Sequence, residues 1–434
     1  MKYILLVLIL ALGYSGSKSQ ITAEMEEYFD DGQYFFNRND FTEAVYYFKE
    51  LVKIQPDNAN FNFRVGECYL KILGKEHLAI PYFEKAVQHV VRKNVYKRRQ
   101  INETSAPLHA YFYLGNAYRM NNELNKALEY YYKFLNSPMF VGDYNQNVVV
   151  EEIKSCERAK IIQDAPVKLE KEALDTVINT SLDEMNPVVS GDQKTIVFVR
   201  KLTFYDAIFY SEKRGNQWIT PVNINPQLLS DGDMYPSCLS DEGNILYLIK
   251  VQETNSEIYI SHKRDGFWTK AVPVNELNSK AQENHISVSA DGDEAYISSN
   301  RSGSKGGFDI FYSKKDEKTG EWSRPKNCGK TINTKQDEIT PVICNNGKTL
   351  FFSSKGHYNM GGYDIFYSNQ NGKKWQIPLN IGYPINDTRD NYFYQPTIDG
   401  KSAYMAIFNY SASDGLRDIF LLKPMSESFV IPKP

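Results

Sequence analysis

The residue types that most often carry catalysis occur here without the spacing that catalysis needs. None of the six histidines stands in an H-E-x-x-H or C-x-x-C pattern, which would bring metal ligands together on one helix or turn. No G-x-S-x-G segment follows a strand pattern, so a nucleophilic serine of the hydrolase type lacks its usual turn. We therefore predict a protein that is not an enzyme and uses no cofactor or metal, with a hydrolase as a remote alternative.

Two further patterns could bind ions. The glycine-rich segments Ser302–Gly307 and Gly361–Gly362 could cradle a phosphate, but a phosphate cradle leads into a helix and these segments lead into strand patterns, which favours wide hairpin turns. Carboxylates also recur just before predicted strands, at Glu184, Asp233, Glu283 and Glu338. Repeated acids could surround a cation. Their recurrence favours a shared structural role instead, and we predict that they accept backbone N–H bonds between neighbouring units.

A dense basic segment supplies the clearest charged surface. Five cations fall within eight residues, at Arg92, Lys93, Lys97, Arg98 and Arg99. The formal net charge of the whole chain is −3, so the sequence gives no reason to expect binding to nucleic acid. The segment is either a solvated helix face or a docking site for an acidic partner, and we include these five residues among the candidate partner-binding residues.

The N-terminus has the composition of an export signal. Met1–Gln20 begins with one lysine, continues with an apolar run from Ile4 to Leu12 and ends in small polar residues. This order is typical of a secretory signal peptide, and we predict its removal before Gln20; a retained anchor helix is the alternative. No other segment approaches the 18 apolar residues of a membrane span, so we expect no transmembrane segment in the mature chain.

From about residue 24 to residue 139, apolar residues recur with the period of a helix. Three glycines, Gly32, Gly66 and Gly115, each precede an aromatic residue by three positions. Downstream of each glycine, a small residue is followed four positions later by an aromatic one, in the pairs Ala44 and Phe48, Ala79 and Phe83, and Ala127 and Tyr131. The arrangement resembles the tetratricopeptide repeat, in which helical hairpins stack. We predict three such repeats, an insertion over Gln88–Pro107 and a capping helix over Val148–Ile162.

The resemblance implies a concave groove lined by the first helix of each repeat. The matching positions are Phe29, Gln33, Phe36, Phe63, Glu67, Leu70, His109, Phe112, Asn116 and Arg119. Phe29, Phe63 and Phe112 share one position and would form an aromatic stripe along the groove. An exposed stripe would bind a peptide or a partner helix. The alternative is that the stripe packs against the following domain or the capping helix.

From about Val167 the period changes to two residues, and a unit of 50 to 55 residues repeats. Its clearest strand contains an isoleucine, at Ile208, Ile258, Ile310, Ile365 and Ile419. Four of these strands are followed by a turn and a strand that starts at one of the four tryptophans, Trp218, Trp268, Trp322 and Trp375. Four antiparallel strands per unit predict a β-propeller of five blades, with six as the alternative. We predict that Lys168–Thr180 completes the last blade and closes the ring, which removes the exposed sheet edges.

The strand units also resemble a known family. Ser298–Ser313 and Phe351–Ser368 are similar to PD40, or WD40-like, repeats, which also occur in TolB-type periplasmic proteins. Signal peptide, tetratricopeptide repeats and such a propeller together resemble Bacteroidetes envelope proteins, some of which are periplasmic components of type IX secretion and gliding machinery. Many members add an OmpA-like domain that binds peptidoglycan. This sequence shows no match to that domain, so the resemblance does not imply peptidoglycan binding through it.

These observations predict an α + β multidomain protein. Its expected parts are a signal peptide over residues 1–19, a tetratricopeptide-repeat solenoid over 20–165, an all-β propeller over 166–425 and a tail over 426–434. The predicted function is a non-enzymatic scaffold, in the periplasm or at the outer membrane, that binds other envelope proteins or peptides. The alternative is binding of a glycan or peptidoglycan fragment on one propeller face, near Asn391–Tyr394 and His357–Asn359.

Overall fold

The computed structural model describes residues 21–344, 347–409 and 416–425. The predicted signal peptide (residues 1–19) and the predicted tail (residues 426–434) lie outside these ranges. Within them, no helix combines the length and apolar character that a membrane crossing requires. One compact unit runs to Leu114 and includes Ser137–Asp143, and a second comprises Gly115–Asn136 and the residues from Tyr144 onward. The predicted domain limits follow the change from helix to strand, and these two units do not coincide with them.

The helical part of the chain forms where the sequence analysis expects it. Its α-helices are α1 (Ala23–Asn37), α2 (Phe41–Ile54), α3 (Ala59–Tyr69), α4 (Ile80–Ala86), α5 (Ala110–Met120), α6 (Leu124–Leu135) and α7 (Gln146–Gln163). Polar side chains set several starts: Asp40 accepts the backbone N–H of Glu43, and Asn58 accepts that of Phe61, each at 3.1 Å. The predicted capping helix corresponds to α7.

The three glycines allow the close helix approach that their spacing predicts. A Cβ atom on Gly32 would lie 2.8 Å from the Phe48 ring, one on Gly66 would lie 2.7 Å from the Phe83 ring, and one on Gly115 would lie 2.6 Å from the Tyr131 ring. Real Cβ atoms do not come this close to a neighbour. The pairing of glycine with a downstream aromatic therefore holds the two helices of each hairpin together.

The second repeat is less regular than the others. A short 3₁₀ helix over Glu76–Ala79 leads into α4. The predicted insertion after α4 contains two short strands, β1 (Val90–Val91) and β2 (Ala106–Pro107), which pair in parallel. The segment between β1 and β2 consists of turns, and its two ends are adjacent because the two strands pair.

The remaining strands form five sheets. After α7 comes β3 (Leu169–Ala173). Blade 1 consists of β4 (Asp183–Val189), β5 (Thr195–Lys201), β6 (Asp206–Arg214), β7 (Gln217–Trp218) and β8 (Val222–Asn223), and a short helix α8 (Asn225–Leu228) follows. Blade 2 consists of β9 (Met234–Leu239), β10 (Ile245–Val251), β11 (Ser256–Arg264), β12 (Phe267–Trp268) and β13 (Val272–Pro273).

The other three blades repeat this order. Blade 3 consists of β14 (Glu283–Val288), β15 (Glu294–Ser299), β16 (Asp309–Lys314) and β17 (Lys326–Asn327), with Trp322 in an isolated bridge to Lys315. Blade 4 consists of β18 (Glu338–Cys344), β19 (Thr349–Ser354), β20 (Asp364–Asn371), β21 (Lys374–Trp375) and β22 (Leu379–Asn380). Blade 5 consists of β23 (Gln395–Pro396), β24 (Ala403–Phe408) and β25 (Arg417–Pro424), completed by β3.

The sheets close into a ring. The inner strands β4, β9, β14, β18 and β23 contact one another in chain order, and β23 in turn contacts β4. Strand β3 pairs antiparallel with β25, from Ala173 opposite Phe420 to Leu169 opposite Pro424. The predicted five-bladed propeller and its closing N-terminal strand are therefore confirmed.

One asparagine in each blade extends the sheet with its side chain. Its Oδ1 accepts, at 2.6–2.8 Å, the backbone N–H of the isoleucine that recurs in the third strand of every blade. In four blades its Nδ2 also donates to the carbonyl of the same isoleucine at 2.8–3.0 Å. The five asparagines are Asn179, Asn225, Asn278, Asn333 and Asn386. Each carboxamide takes the place of a peptide group, so the start of the isoleucine strand stays paired.

Candidate functional site

The recurrent carboxylates tie each blade to the segment that leads into it. Glu338 accepts the backbone N–H of Thr334 at 2.8 Å and the Thr334 hydroxyl at 2.7 Å. Glu283 accepts the Ser279 hydroxyl at 2.7 Å and pairs with Arg301 at 2.8 Å. Burial raises the pKa of Glu338 to about 7. In the described ranges, no cluster of three His, Cys, Asp or Glu side chains could hold a metal ion, and these acids serve as structural acceptors.

The glycine-rich segments are turns between strands, as predicted. The first connects β15 to β16, and Asp309 at the start of β16 accepts the backbone N–H of Lys305 at 2.9 Å and of Gly306 at 3.1 Å. The second connects β19 to β20, where Asp364 accepts the N–H of Met360 at 2.8 Å. The backbone amides of Lys305, Gly306 and Met360 are thus already bound to carboxylates.

Two residues of the predicted aromatic stripe are buried. Phe29 is 2% exposed and packs against Phe48 and Phe61, with ring centroids 6.5 and 6.3 Å away. Phe63 is fully buried and stacks on Tyr113 at 5.9 Å. Phe29 and Phe63 therefore do not form an exposed stripe, because Phe29 packs between consecutive helices and Tyr96 and Tyr113 contact the Phe63 ring.

The other predicted groove residues of the first unit are largely enclosed. Glu67 is 7% exposed. The partly buried ones are Gln33, Phe36, Leu70, His109 and Phe112. Burial, together with the nearby cations Arg98 and Lys93, lowers the pKa of His109 to about 4.

The basic segment is divided between surface and interior. Arg92, Lys93, Lys97 and Arg99 are exposed. Arg98 instead turns inward, and its Nη1 donates to Glu67 Oε1 at 2.9 Å. Four of the five cations therefore lie at the surface, and the fifth is part of the helical unit.

Arg119 and Asn116 have structural partners in the second unit. Asn116 Oδ1 accepts the Tyr131 hydroxyl at 2.7 Å. Arg119 is 7% exposed, its Nη1 donates to the carbonyl oxygen of Thr388, and its Nε lies 3.1 Å from Glu152 Oε2. The prediction of Arg119 as a partner-binding residue is wrong, because the propeller loop after blade 4 already occupies its guanidinium.

A cavity of about 480 Å³ opens on the propeller axis, where the inner strands begin. Residues near the starts of the inner strands of blades 1, 2, 3 and 5 line it, with Asn186 on β4, Tyr235 on β9, His285 on β14 and Phe393 just before β23. Strands β4, β9, β14 and β18 each carry a bulge here. Asn186, Thr340 and Phe393 have φ values of 50°, 47° and 57°. Because bulges redirect side chains and unusual backbone conformations concentrate at functional sites, this axial pocket is the candidate site.

The lining of the axial pocket combines polar and apolar side chains and is uncharged. Carboxamides come from Asn186, Gln252, Asn255, Gln282 and Asn284, and rings come from Tyr235, His285, Phe308 and Phe393. Among the described residues that line it, none is Asp, Glu, Lys or Arg. Carboxamides both donate and accept hydrogen bonds, and rings cover apolar surface. This chemistry suits a neutral ligand with hydrogen-bonding groups, such as a peptide or a sugar.

His285 carries an unsatisfied polar atom in this lining. The residue is 4% exposed, its Nδ1 has no hydrogen-bond partner, and its ring centroid lies 6.1 Å from that of Phe393. Burial lowers the pKa of His285 to about 3, so the imidazole is neutral at neutral pH. Since buried polar atoms are normally paired, a ligand that reaches Nδ1 would remove a destabilising feature.

The two loops predicted for glycan binding have different roles. Phe393 of the first loop lines the axial pocket, whereas Tyr394 is 3% exposed and belongs to the core. In the second loop, Asn359 accepts Arg158 Nη2 at 2.6 Å on its side chain and Arg158 Nε at 2.8 Å on its carbonyl. The opposite end of the axis encloses only about 60 Å³ between hairpin turns. The sequence analysis did not identify Asn186, Tyr235 and His285 as site residues, although the three residues lie near the starts of the equivalent strands β4, β9 and β14.

The comparison with protein families agrees with the helical part of this architecture. A family profile for the tetratricopeptide repeat matches residues 109–137. No curated protein matches the sequence. Among solved structures, TolB from Acinetobacter baumannii is 17% identical with a TM-score of 0.36, over 58% of this chain and 56% of that chain. The chain thus spans little more than half the length of that protein.

Two other structures illustrate how general the likeness is. A putative TolB from Agrobacterium tumefaciens is 16% identical with a TM-score of 0.37, over 60% of this chain and 86% of that chain. An α-L-arabinofuranosidase from Podospora anserina is 11% identical with a TM-score of 0.36, over 60% of this chain and 98% of that chain. Likeness at this level carries no information about activity. The chain combines a tetratricopeptide-repeat match at residues 109–137 with five sheets that close into a β-propeller.

Proposed function

We propose that this protein is a non-enzymatic scaffold that binds a segment of another envelope protein in the axial pocket. The observation that carries the proposal is the pocket itself, about 480 Å³ of space lined by carboxamides and aromatic rings. Carboxamides can pair with both the N–H and the C=O of an extended peptide, and aromatic anchors supply much of the affinity in protein interfaces.

The state of the ionisable groups supports binding rather than catalysis. The pKa of His285 is too low for a general acid near neutral pH, and its burial keeps the imidazole uncharged. The recurrent acids Glu184, Glu283 and Glu338 hold the segments between blades through Thr180, Ser279 and Thr334. An acid–base pair across the pocket would need charged groups that the described lining does not contain.

The location is part of the proposal. The N-terminal sequence pattern supports export, and the resemblance of the repeats supports a place in the periplasm or at the outer membrane. An accessory role in envelope assembly or type IX secretion rests on the same resemblance.

A glycan or peptidoglycan fragment is the second candidate ligand. It is favoured by Phe393 and Tyr235, whose ring faces could stack on a sugar, beside carboxamides that could bind hydroxyl groups. The unpaired Nδ1 of His285 could serve either ligand.

Site-specific photocrosslinking in the native cells tests the first candidate. A benzophenone amino acid at Gln282, on the pocket rim, should capture one protein reproducibly, and Phe393→Ala should abolish that adduct. The same probe at exposed Lys318, in the hairpin after β16, is the matched control. Identical adducts at both positions, or none at Gln282, would overturn the proposal. Saturable calorimetric binding of muropeptides that Phe393→Ala removes would select the second candidate instead.

A further inference from the structure

The insertion in the second helical repeat sends two side chains onto the face that the repeat resemblance assigns to partner binding. The Tyr96 hydroxyl donates to Asn60 Oδ1 at 2.6 Å. The Tyr96 ring meets Phe63 edge to face, with centroids 6.1 Å apart and an interplanar angle of 85°. Arg98 Nη1 donates to Glu67 Oε1 at 2.9 Å. Phe63 and Glu67 are both predicted groove positions on α3, so the chain itself covers that face.

Glu67, which accepts the hydrogen bond from Arg98, is also held in place by a second partner. Glu67 Oε2 lies 3.2 Å from Nη1 of Arg64, which is 1% exposed. The Arg64 guanidinium lies 4.7 Å from the ring centroids of both Phe36 and Phe48. Arg98 approaches the same Phe36 ring, at 5.0 Å. One carboxylate oxygen of Glu67 and the ring of Phe36 would therefore stay positioned for a guanidinium group if Arg98 moved away.

The covering segment is fixed at its base and exposed at its tip. We call Arg92–Thr104 the basic loop. Its base is the pair of strands β1 and β2, reinforced by the bond from Ala59 N to Thr104 O at 3.0 Å. Around Tyr96 and Arg98, the residues Arg92 to Val95, Lys97, Arg99 and Gln100 are exposed. Lifting the tip would break the contacts of Tyr96 and Arg98 and leave the base intact.

We propose that the basic loop is an intramolecular occupant of a peptide-binding groove, and that the external ligand is a protein segment with an aromatic residue two positions before an arginine. The loop shows what the groove recognises: a ring against Phe63 with a hydroxyl at Asn60, and a guanidinium at Glu67 and Phe36. The proposal concerns the helical unit and is independent of the axial pocket.

Binding in trans tests this proposal. The probe is a fluorescent peptide with the sequence of Arg92–Thr104, and the receptor is the full chain with Tyr96→Ala and Arg98→Ala. We expect the double variant to bind the probe at least about ten-fold more tightly than the unaltered protein, because its groove is empty. Glu67→Gln in the double variant should reverse the gain.

A matched peptide separates recognition from charge attraction. The control probe carries alanine in place of the tyrosine and its partner arginine and keeps the other four cations. It should not bind the double variant. Equal binding of both peptides, or no gain over the unaltered protein in a double variant that melts cooperatively, would overturn the proposal.

If the double variant does not fold, hydrogen exchange of the unaltered protein provides a second test of the proposal. The backbone amides of the basic loop should exchange through local opening, and faster than the amides of α3. An excess of the probe peptide should increase the exchange rate of the loop amides and decrease that of the α3 amides. Loop amides that exchange only with unfolding of the whole helical unit would refute a displaceable occupant.

Discussion

Arg119 and Thr388, 269 residues apart in the chain, exchange two hydrogen bonds: the guanidinium donates to the Thr388 carbonyl, and the Thr388 hydroxyl donates to the Arg119 carbonyl at 2.5 Å. The same arginine pairs with Glu152 on α7 at 3.1 Å. Gly361 accommodates the guanidinium, since a Cβ there would lie 2.6 Å from Arg119 Nη1. A position that repeat proteins use for partners has become part of the internal packing of the second unit.

Arg119→Ala should destabilise the second unit strongly. The change removes the guanidinium bond to the Thr388 carbonyl and leaves the partly buried Glu152 without its cation, whereas the bond from the Thr388 hydroxyl to the backbone carbonyl can remain. Loss of one partner from a buried ion pair typically costs about 3 kcal/mol. The measurement is denaturant unfolding followed by tryptophan fluorescence, because all four tryptophans lie in the propeller. Arg38→Ala is the control, since that arginine is exposed and contacts Tyr34 on its own helix. Equal effects of the two substitutions would contradict the structural role.

Asn333→Ala should also weaken the propeller. Asn333 is 1% exposed, and its side chain pairs both the N–H and the C=O of Ile310, at 2.8 and 2.9 Å. Alanine would leave two buried backbone groups unpaired, at a cost of about 2–4 kcal/mol. The same fluorescence unfolding curve measures the loss, and Asn94→Ala at an exposed site should change stability by less than about 0.5 kcal/mol. A variant as stable as the unaltered protein would show that water replaces the carboxamide.

Local repetition made most of the fold predictable. The spacing from Gly66 to Phe83 reports a contact between two adjacent helices, and the recurrence of Ile310 and its equivalents reports one strand in every blade. The closing strand was also predictable, because Ile178–Thr180 repeats a sequence found after blade 3. Each of these signals is a sequence pattern that repeats because the same structural unit repeats along the chain.

Contacts between unlike segments could not be predicted. Tyr96 meets Asn60 and Arg98 meets Glu67 across 36 and 31 positions, and the insertion that carries Tyr96 and Arg98 has no counterpart in the other repeats. The axial pocket has the same character, since His285 and Phe393 approach each other only when the ring closes. Analogy with other repeat proteins therefore assigned Arg119 to partner binding, whereas the packing particular to this chain encloses its guanidinium.

Asp364→Asn should change how stability depends on pH. Burial raises the pKa of Asp364 to about 8 from an ordinary value near 3.8, and its Oδ1 has no hydrogen-bond partner. The folded state then holds the proton that the unfolded state releases, so this group's contribution to stability is full below about pH 4 and is lost as pH rises to about 8. Asparagine does not titrate and can keep the carbonyl oxygen that accepts Met360 N–H and the Asn380 amide.

The stability difference between Asp364→Asn and the unaltered protein should therefore shift in favour of the variant as pH rises from about 5 to about 8. Comparing the two proteins at each pH cancels the titration of Glu338, whose pKa burial also raises. The measurement is the unfolding free energy from urea titrations across this range. A constant difference would show that Asp364 is ionised in the folded protein.

Gly66→Ala should destabilise the first unit, although alanine is the better helix former. The added Cβ would lie 2.7 Å from the Phe83 ring, and overpacking of this kind costs about 1–3 kcal/mol, more than the roughly 0.5–1 kcal/mol that alanine gains in a helix. Phe83→Leu removes the ring that clashes, at a cost of its own. The double variant should therefore lose less stability than the sum of the single variants, in thermal unfolding followed by helical circular dichroism. If the losses of stability were additive, or if Gly66→Ala alone stabilised the protein, the two helices of this hairpin could separate without penalty. The glycine would then not set the distance between them.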